Sequence, residues 1–79
     1  MIKAWIIQGT WTHRGSRITE RYVVALPDSD RAVGTLSRVL GPRRGLKMVV
    51  EGPLPEAAYY RLGLTPGIVL RIGHEARAK

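Results

Sequence analysis

Arg43 and Arg44 stand side by side between Pro42 and Gly45, directly after Gly41 and before an apolar run that starts at Leu46. That pairing suits phosphate. The planar fork of arginine matches phosphate oxygens two at a time, and it stays protonated at any physiological pH. Proline and glycine brace the loop on both sides, so the charge is expected at a defined place rather than on a loose tail. Lys47 adds a third cation in the strand-like run that follows, and Arg14, Arg17 and Arg21 form a second patch upstream. Trp11 lies beside His13 and Arg14 and is the aromatic expected at the surface, where a base can stack on it. Trp5 is expected in the core, because a small chain needs its large apolar groups there.

Other reactive residue types lack partners at useful spacing. His13 falls in an expected turn and His74 in an expected tail, with no carboxylate or hydroxyl spaced to orient either ring. Asp28 and Asp30 precede an apolar periodic run, which marks them as helix-capping residues rather than a metal pair. The glycines at 41 and 45 lack the lysine and hydroxyl of a phosphate-binding loop, and they follow a helix instead of opening one. Cysteine is absent, so a disulfide framework and a thiolate metal site are both excluded. We expect no catalytic residue, no cofactor and no metal.

Composition agrees with a polyanion partner. The chain has 79 residues, room for one domain without a large cleft, which argues against a self-contained enzyme. Thirteen Lys and Arg face six Asp and Glu, a net charge of +7, and the charge is spread over the chain as on a folded surface. Such a field favours nucleic acid. Ten of the cations are arginine, asparagine is absent and glutamine occurs once, a depletion of thermolabile amides. The apolar start is broken by Lys3 and is too short for a signal segment, and nothing approaches the roughly 20 apolar residues that span a bilayer. A soluble protein of the reducing cytoplasm is the expectation.

The elements that must position these residues follow from periodicity. Residues 2–11 alternate as a strand, with Ile2, Ala4 and Ile6 on one face and Lys3, Trp5, Ile7 and Trp11 on the other. A turn at residues 12–16 leads to a second strand over 17–26, whose Arg17, Thr19 and Arg21 make a basic side opposite Ile18, Tyr22 and Val24. Asp28 or Ser29 caps a helix in which Ala32, Val33, Leu36, Val39 and Leu40 share one face, and Gly34 within it suggests close approach to the sheet. A third strand over 46–50, a short helix over 56–62 and a last strand over 68–72 complete the order. The fold class is therefore α+β, a single small domain over residues 1–72. Its antiparallel or mixed sheet of three to four strands is packed by one main helix, and residues 73–79 form a basic tail. A crossover through the helix places the third strand parallel to the second, on the far side of the first.

Over roughly residues 2–50 the chain resembles a divergent member of the archaeal large-subunit ribosomal protein LX family. The likeness is carried by the strand ending Ile6, Ile7, Gln8, Gly9, and by the second strand closing on Val23, Val24, Ala25, Leu26. It continues through the capped helix from Asp28 to Leu40 and the basic run Gly41, Pro42, Arg43, Arg44 with Lys47. The resemblance implies a structural protein without catalytic activity, bound to ribosomal RNA and neighbouring ribosomal proteins, with no membrane or small-molecule partner and monomeric off the ribosome. Arg43, Arg44 and Lys47 are then expected at the phosphate contacts, and Arg14, Arg17, Arg21 and Trp11 of the hairpin, read from the residues themselves, as a second RNA-binding patch. A shorter stretch, Leu62, Gly63, Leu64, Thr65, Pro66, Gly67 and the strand after it, is similar to the signature of small SH3-like domains associated with ferrous iron transport. That likeness implies a protein-interaction module; another nucleic-acid-binding module is the remaining alternative.

Overall fold

The computed structural model describes residues 2–78. Its elements in chain order are β1 (Trp5–His13), β2 (Ser16–Val24), α1 (Ser29–Leu40), β3 (Lys47–Pro53), α2 (Glu56–Arg61) and β4 (Val69–Ala78). The four strands make one antiparallel sheet in the order β3-β1-β2-β4. Because β1 is antiparallel to both β2 and β3, β3 runs parallel to β2 on the far side of β1, as the crossover argument expects. Strands β3 and β4 are the two edges, so the sheet is open and does not close into an SH3-like barrel.

Alternation on β1 and β2 gives the sheet two apolar faces, each covered by a different helix. On one face Ile7, Trp11, Tyr22 and Val24 pack against Ala32, Leu36 and Leu40 of α1. On the other, Ala4, Val23 and Ala25 pack against Tyr59 of α2 and Leu64 just beyond it. Coverage there stops at one end. The half of this face nearest the β1–β2 turn carries polar and charged residues and has no helix over it.

Local signals set the ends of α1. The Asp28 carboxylate accepts a hydrogen bond from the Asp30 amide at 2.9 Å, satisfying one of the orphan donors of the first turn. Gly41 stops the helix with φ of 69°, and its amide donates to the Ser37 carbonyl. Two details of the helix differ from expectation. Val39 is 60% exposed and does not join the apolar face. A Cβ on Gly34 would meet nothing within 4 Å, so close approach to the sheet is not the reason for that glycine.

The largest difference concerns the C-terminal segment. Residues expected as a basic tail continue β4 alongside β2, from Val69 opposite Val24 to Ala78 opposite Ser16; Lys79 lies outside the described residues. The ordered sheet thus extends past residue 72. A run such as Gly73, His74, Glu75 has weak strand propensity of its own, but the exposed edge of β2 offers it a complete ladder of backbone partners. A bulge at Ile72, between the Tyr22–Arg71 and Arg21–Gly73 pairs, lets the strand change register partway.

Candidate nucleic-acid interface

The loop between α1 and β3 is held by three hydrogen bonds and one cation–π contact. The Thr12 amide donates to the Arg44 carbonyl at 2.9 Å, which ties the loop to β1. The Leu46 amide donates to the Arg43 carbonyl at 3.2 Å, and Gly45 takes φ of 68° so that the chain can reverse into β3. Arg43 turns back on the helix: its Nε donates to the Leu40 carbonyl at 2.9 Å, filling one of the acceptors left open at the C-terminus of α1. Its guanidinium carbon also lies 4.4 Å from the centre of the Trp11 ring, within cation–π range.

Trp11 therefore plays a different part from the one expected. It is 5% exposed and belongs to the core under α1, with Arg43 over its ring, so the ring is not a free stacking platform. Trp5 is half-buried and its indole Nε1 donates to the Pro27 carbonyl at 3.2 Å. Trp5 packs against the same core cluster, as expected, so only Trp11 departs from its expected place. The reason is the length of α1, whose last turn reaches Trp11 through Leu40.

Around Trp11 opens a cleft of about 510 Å³ lined by Thr12, His13, Arg14, Leu40, Pro42, Arg43 and Arg44. Arg14 reaches it from the two-residue loop between His13 and Ser16, where Arg14 and Gly15 have φ of 50° and 77°. Positive φ at both central residues matches the twist of a tight hairpin, and it is a strained conformation for arginine. Among the described residues Arg14, Arg43 and Arg44 form no ion pair with a carboxylate. Three arginines from two loops converge on one cleft, with no carboxylate among the described residues to neutralise them.

The remaining cations of the expected patch lie elsewhere. Register puts Lys47 opposite Thr10 and Arg17 opposite Thr12, while Met48 and Ile18 alternate to the α1 side. Lys47, Arg17 and Arg21 therefore occupy the open half of the sheet face opposite α1, not the cleft with Arg43 and Arg44. Arg21 is also engaged, with Nη2 2.6 Å from the Glu51 carboxylate. Both expected patches are thus divided: Lys47 parts from Arg43 and Arg44, and Arg17 and Arg21 part from Arg14, which joins the cleft.

One polar cluster has no counterpart in the expectations. Glu20 sits on the α1 side of β2 between Ile18 and Tyr22 and is 5% exposed. It accepts from the Tyr22 hydroxyl, from Arg71 Nη1 at 3.0 Å, and is hydrogen-bonded to Nδ1 of His74. Burial pushes its carboxyl up, but the bonds from Tyr22, His74 and Arg71 outweigh that and hold it below the usual carboxylate range. Burial, with the neighbouring carboxylate second, raises the Tyr22 hydroxyl to about 12. His74 is thus oriented by a carboxylate after all, because β4 places it directly opposite Glu20. The signal for this cluster was Glu20 itself, a carboxylate on an otherwise apolar strand face, which must find cationic or hydrogen-bonding partners once buried. Among the described residues no group of three His, Asp or Glu side chains is arranged to hold a metal ion, and no helix is long and apolar enough to cross a membrane.

Comparison with protein-family models, with curated proteins and with solved structures finds no match in any of the three.

Proposed function

We propose that the chain is a structural RNA-binding protein of the large ribosomal subunit, a divergent relative of the archaeal LX family, which grips the ribosomal RNA backbone in the cleft beside Trp11. The observation that carries this reading is the convergence of Arg14, Arg43 and Arg44, none paired with a carboxylate among the described residues, on a cleft whose loop is tied to β1 and stacked on Trp11. A tied backbone presents these guanidinium groups from a defined place, and phosphate contacts position a protein on RNA without reading its sequence. The resemblance over residues 2–50 supports the ribosomal setting. In this reading the protein works in the cytoplasm, beside neighbouring ribosomal proteins, without catalysis, cofactor or small-molecule substrate, and is monomeric when free.

The test is co-sedimentation of the tagged protein with large ribosomal subunits, together with titration of ribosomal RNA fragments and duplex DNA of equal length at one salt concentration. The protein is expected in the subunit peak and on RNA in preference to DNA. Replacing Arg14 and Arg44 together with alanine is expected to flatten the slope of log affinity against log salt by roughly 1.4 to 1.8, at roughly 0.7 to 0.9 for each lost phosphate contact. A preference for duplex DNA would replace the ribosomal reading with a DNA-binding one, and an unchanged slope would remove the cleft from the interface.

A further inference from the structure

The open half of the sheet face opposite α1 is built as three cross-strand rows. One runs Lys47, Thr10, Thr19, Glu75; the next Val49, Gln8, Arg21, Gly73; the last Thr12, Arg17, Arg77. Three threonines, a glutamine and four cations make this surface, with no aromatic residue among them. Its carboxylates are already committed, Glu51 to Arg21 and Glu75 to Arg77. Arg17 and Lys47 form no ion pair among the described residues. Arg17 stands directly opposite Arg77, whose guanidinium is already taken up by Glu75, so Arg17 is the member of that cross-strand pair left without a carboxylate among the described residues. Gly73, having no side chain, leaves a depression of about 320 Å³ bordered by Gln8, Thr19, Arg21 and Glu75. The α2 segment covers only the other end of the face.

Resting on the RNA-binding reading of the cleft, we propose that this sheet face is a second RNA surface, which takes the backbone of an A-form RNA helix, so that the protein bridges two RNA segments. Charge complementarity selects a polyanion. Its rows hold no aromatic ring, the usual platform on which proteins stack the bases of single strands, which favours a paired helix. Hydroxyl and amide side chains interleaved with cations suit the 2′-hydroxyls and phosphates displayed along the shallow groove of double-stranded RNA. Arg17 and Lys47 lie across the sheet layer from Trp11, and the two sites approach each other only at Thr12 beside the β1–β2 turn. Arg17 and Lys47 supply the phosphate contacts; Thr10, Thr12 and Thr19 supply partners for sugar hydroxyls.

Native mass spectrometry of the full chain with an excess of a short RNA hairpin tests this. The wild type is expected to carry two RNA molecules. Arg17→Ala with Lys47→Ala is expected to carry one, with the remaining affinity unchanged, while Arg14→Ala with Arg44→Ala also carries one. Adding duplex DNA of equal length to the wild type is expected not to displace the RNA molecule that the Arg17 and Lys47 variant fails to carry. A wild type that binds one RNA, with affinity and salt slope untouched by the Arg17 and Lys47 changes, overturns the second surface while leaving the cleft standing. Equal occupancy of this face by duplex DNA overturns the A-form assignment. A wild type that binds no RNA overturns both readings. The double variant's circular dichroism spectrum and unfolding midpoint should match the wild type, since both substituted residues are exposed.

Discussion

Arg43 and Arg44 are neighbours in the chain and differ in what the fold asks of them. Arg43 stacks on Trp11 and bonds the Leu40 carbonyl, whereas the Arg44 side chain is exposed and unpaired among the described residues. Replacing Arg43 with alanine is expected to cost about 1 to 2 kcal/mol in denaturant unfolding and to shift Trp11 fluorescence, because a cation–π contact and a helix-end bond are lost together. Replacing Arg44 is expected to change stability by no more than about 0.5 kcal/mol. Equal effects of the two changes would show that the stacked arrangement does not persist in solution. The Glu20 cluster governs pH dependence at the same scale. The folded Glu20 carboxyl lies below its ordinary value of 4.5, so its contribution is present above that pH and is lost as pH falls toward the folded pKa. Tyr22 is raised from 10.0 to about 12, so its contribution is present below pH 10.0 and is lost as pH climbs toward about 12. Thermal unfolding followed across both windows is expected to show both declines, and Tyr22→Phe is expected to reduce the alkaline one.

Among the elements, α1 was the most legible and holds the clearest opportunity for improvement. Its cap at Asp28, its stop at Gly41 and its apolar face of Ala32, Leu36 and Leu40 are all local patterns, read within a few residues of where they act. Gly34 is the exception. Its site has open space for a methyl group and φ outside the left-handed region, so Gly34→Ala is expected to stabilise the protein by about 0.5 to 1 kcal/mol through reduced freedom of the unfolded chain. Urea unfolding checks this, and a loss of stability would show that the folded helix does not accommodate the added methyl group. Strand β4 is the contrasting case. Its second half has little apolar periodicity, and it is held by pairing with β2 and by Arg71 and His74 on Glu20.

At the scale of the whole molecule, both apolar faces of the sheet need covering, and the C-terminal segment covers one of them. A chain ending at Val50 would lose α2 and β4. Ala4, Val23 and Ala25 would be exposed, and Glu20 would be left with Tyr22 alone. Such a fragment is expected to show no cooperative unfolding transition by circular dichroism, since an apolar sheet face and a buried carboxylate without cations are both costly. A fragment that unfolds cooperatively and keeps RNA affinity would place the folding unit in the first three strands and α1.

Element types, their order and the ends of the helix were determined by the sequence itself, because capping, turn formation and apolar periodicity act over a few neighbouring residues. The two-faced character of β1 and the basic side of β2 were legible for the same reason. Which charged residues meet was decided only by the tertiary structure. Lys47 reads as a companion of Arg43 and Arg44 in the chain, yet its pairing with Thr10 turns it to the opposite face, and a slip of one residue would have reversed that outcome. His74 reads as a lone residue in a tail, yet it lies on Glu20 across 54 positions of sequence because β4 shifts register at Ile72. Cross-strand register and bulges are set by the summed packing of both faces, a quantity no local window of sequence contains.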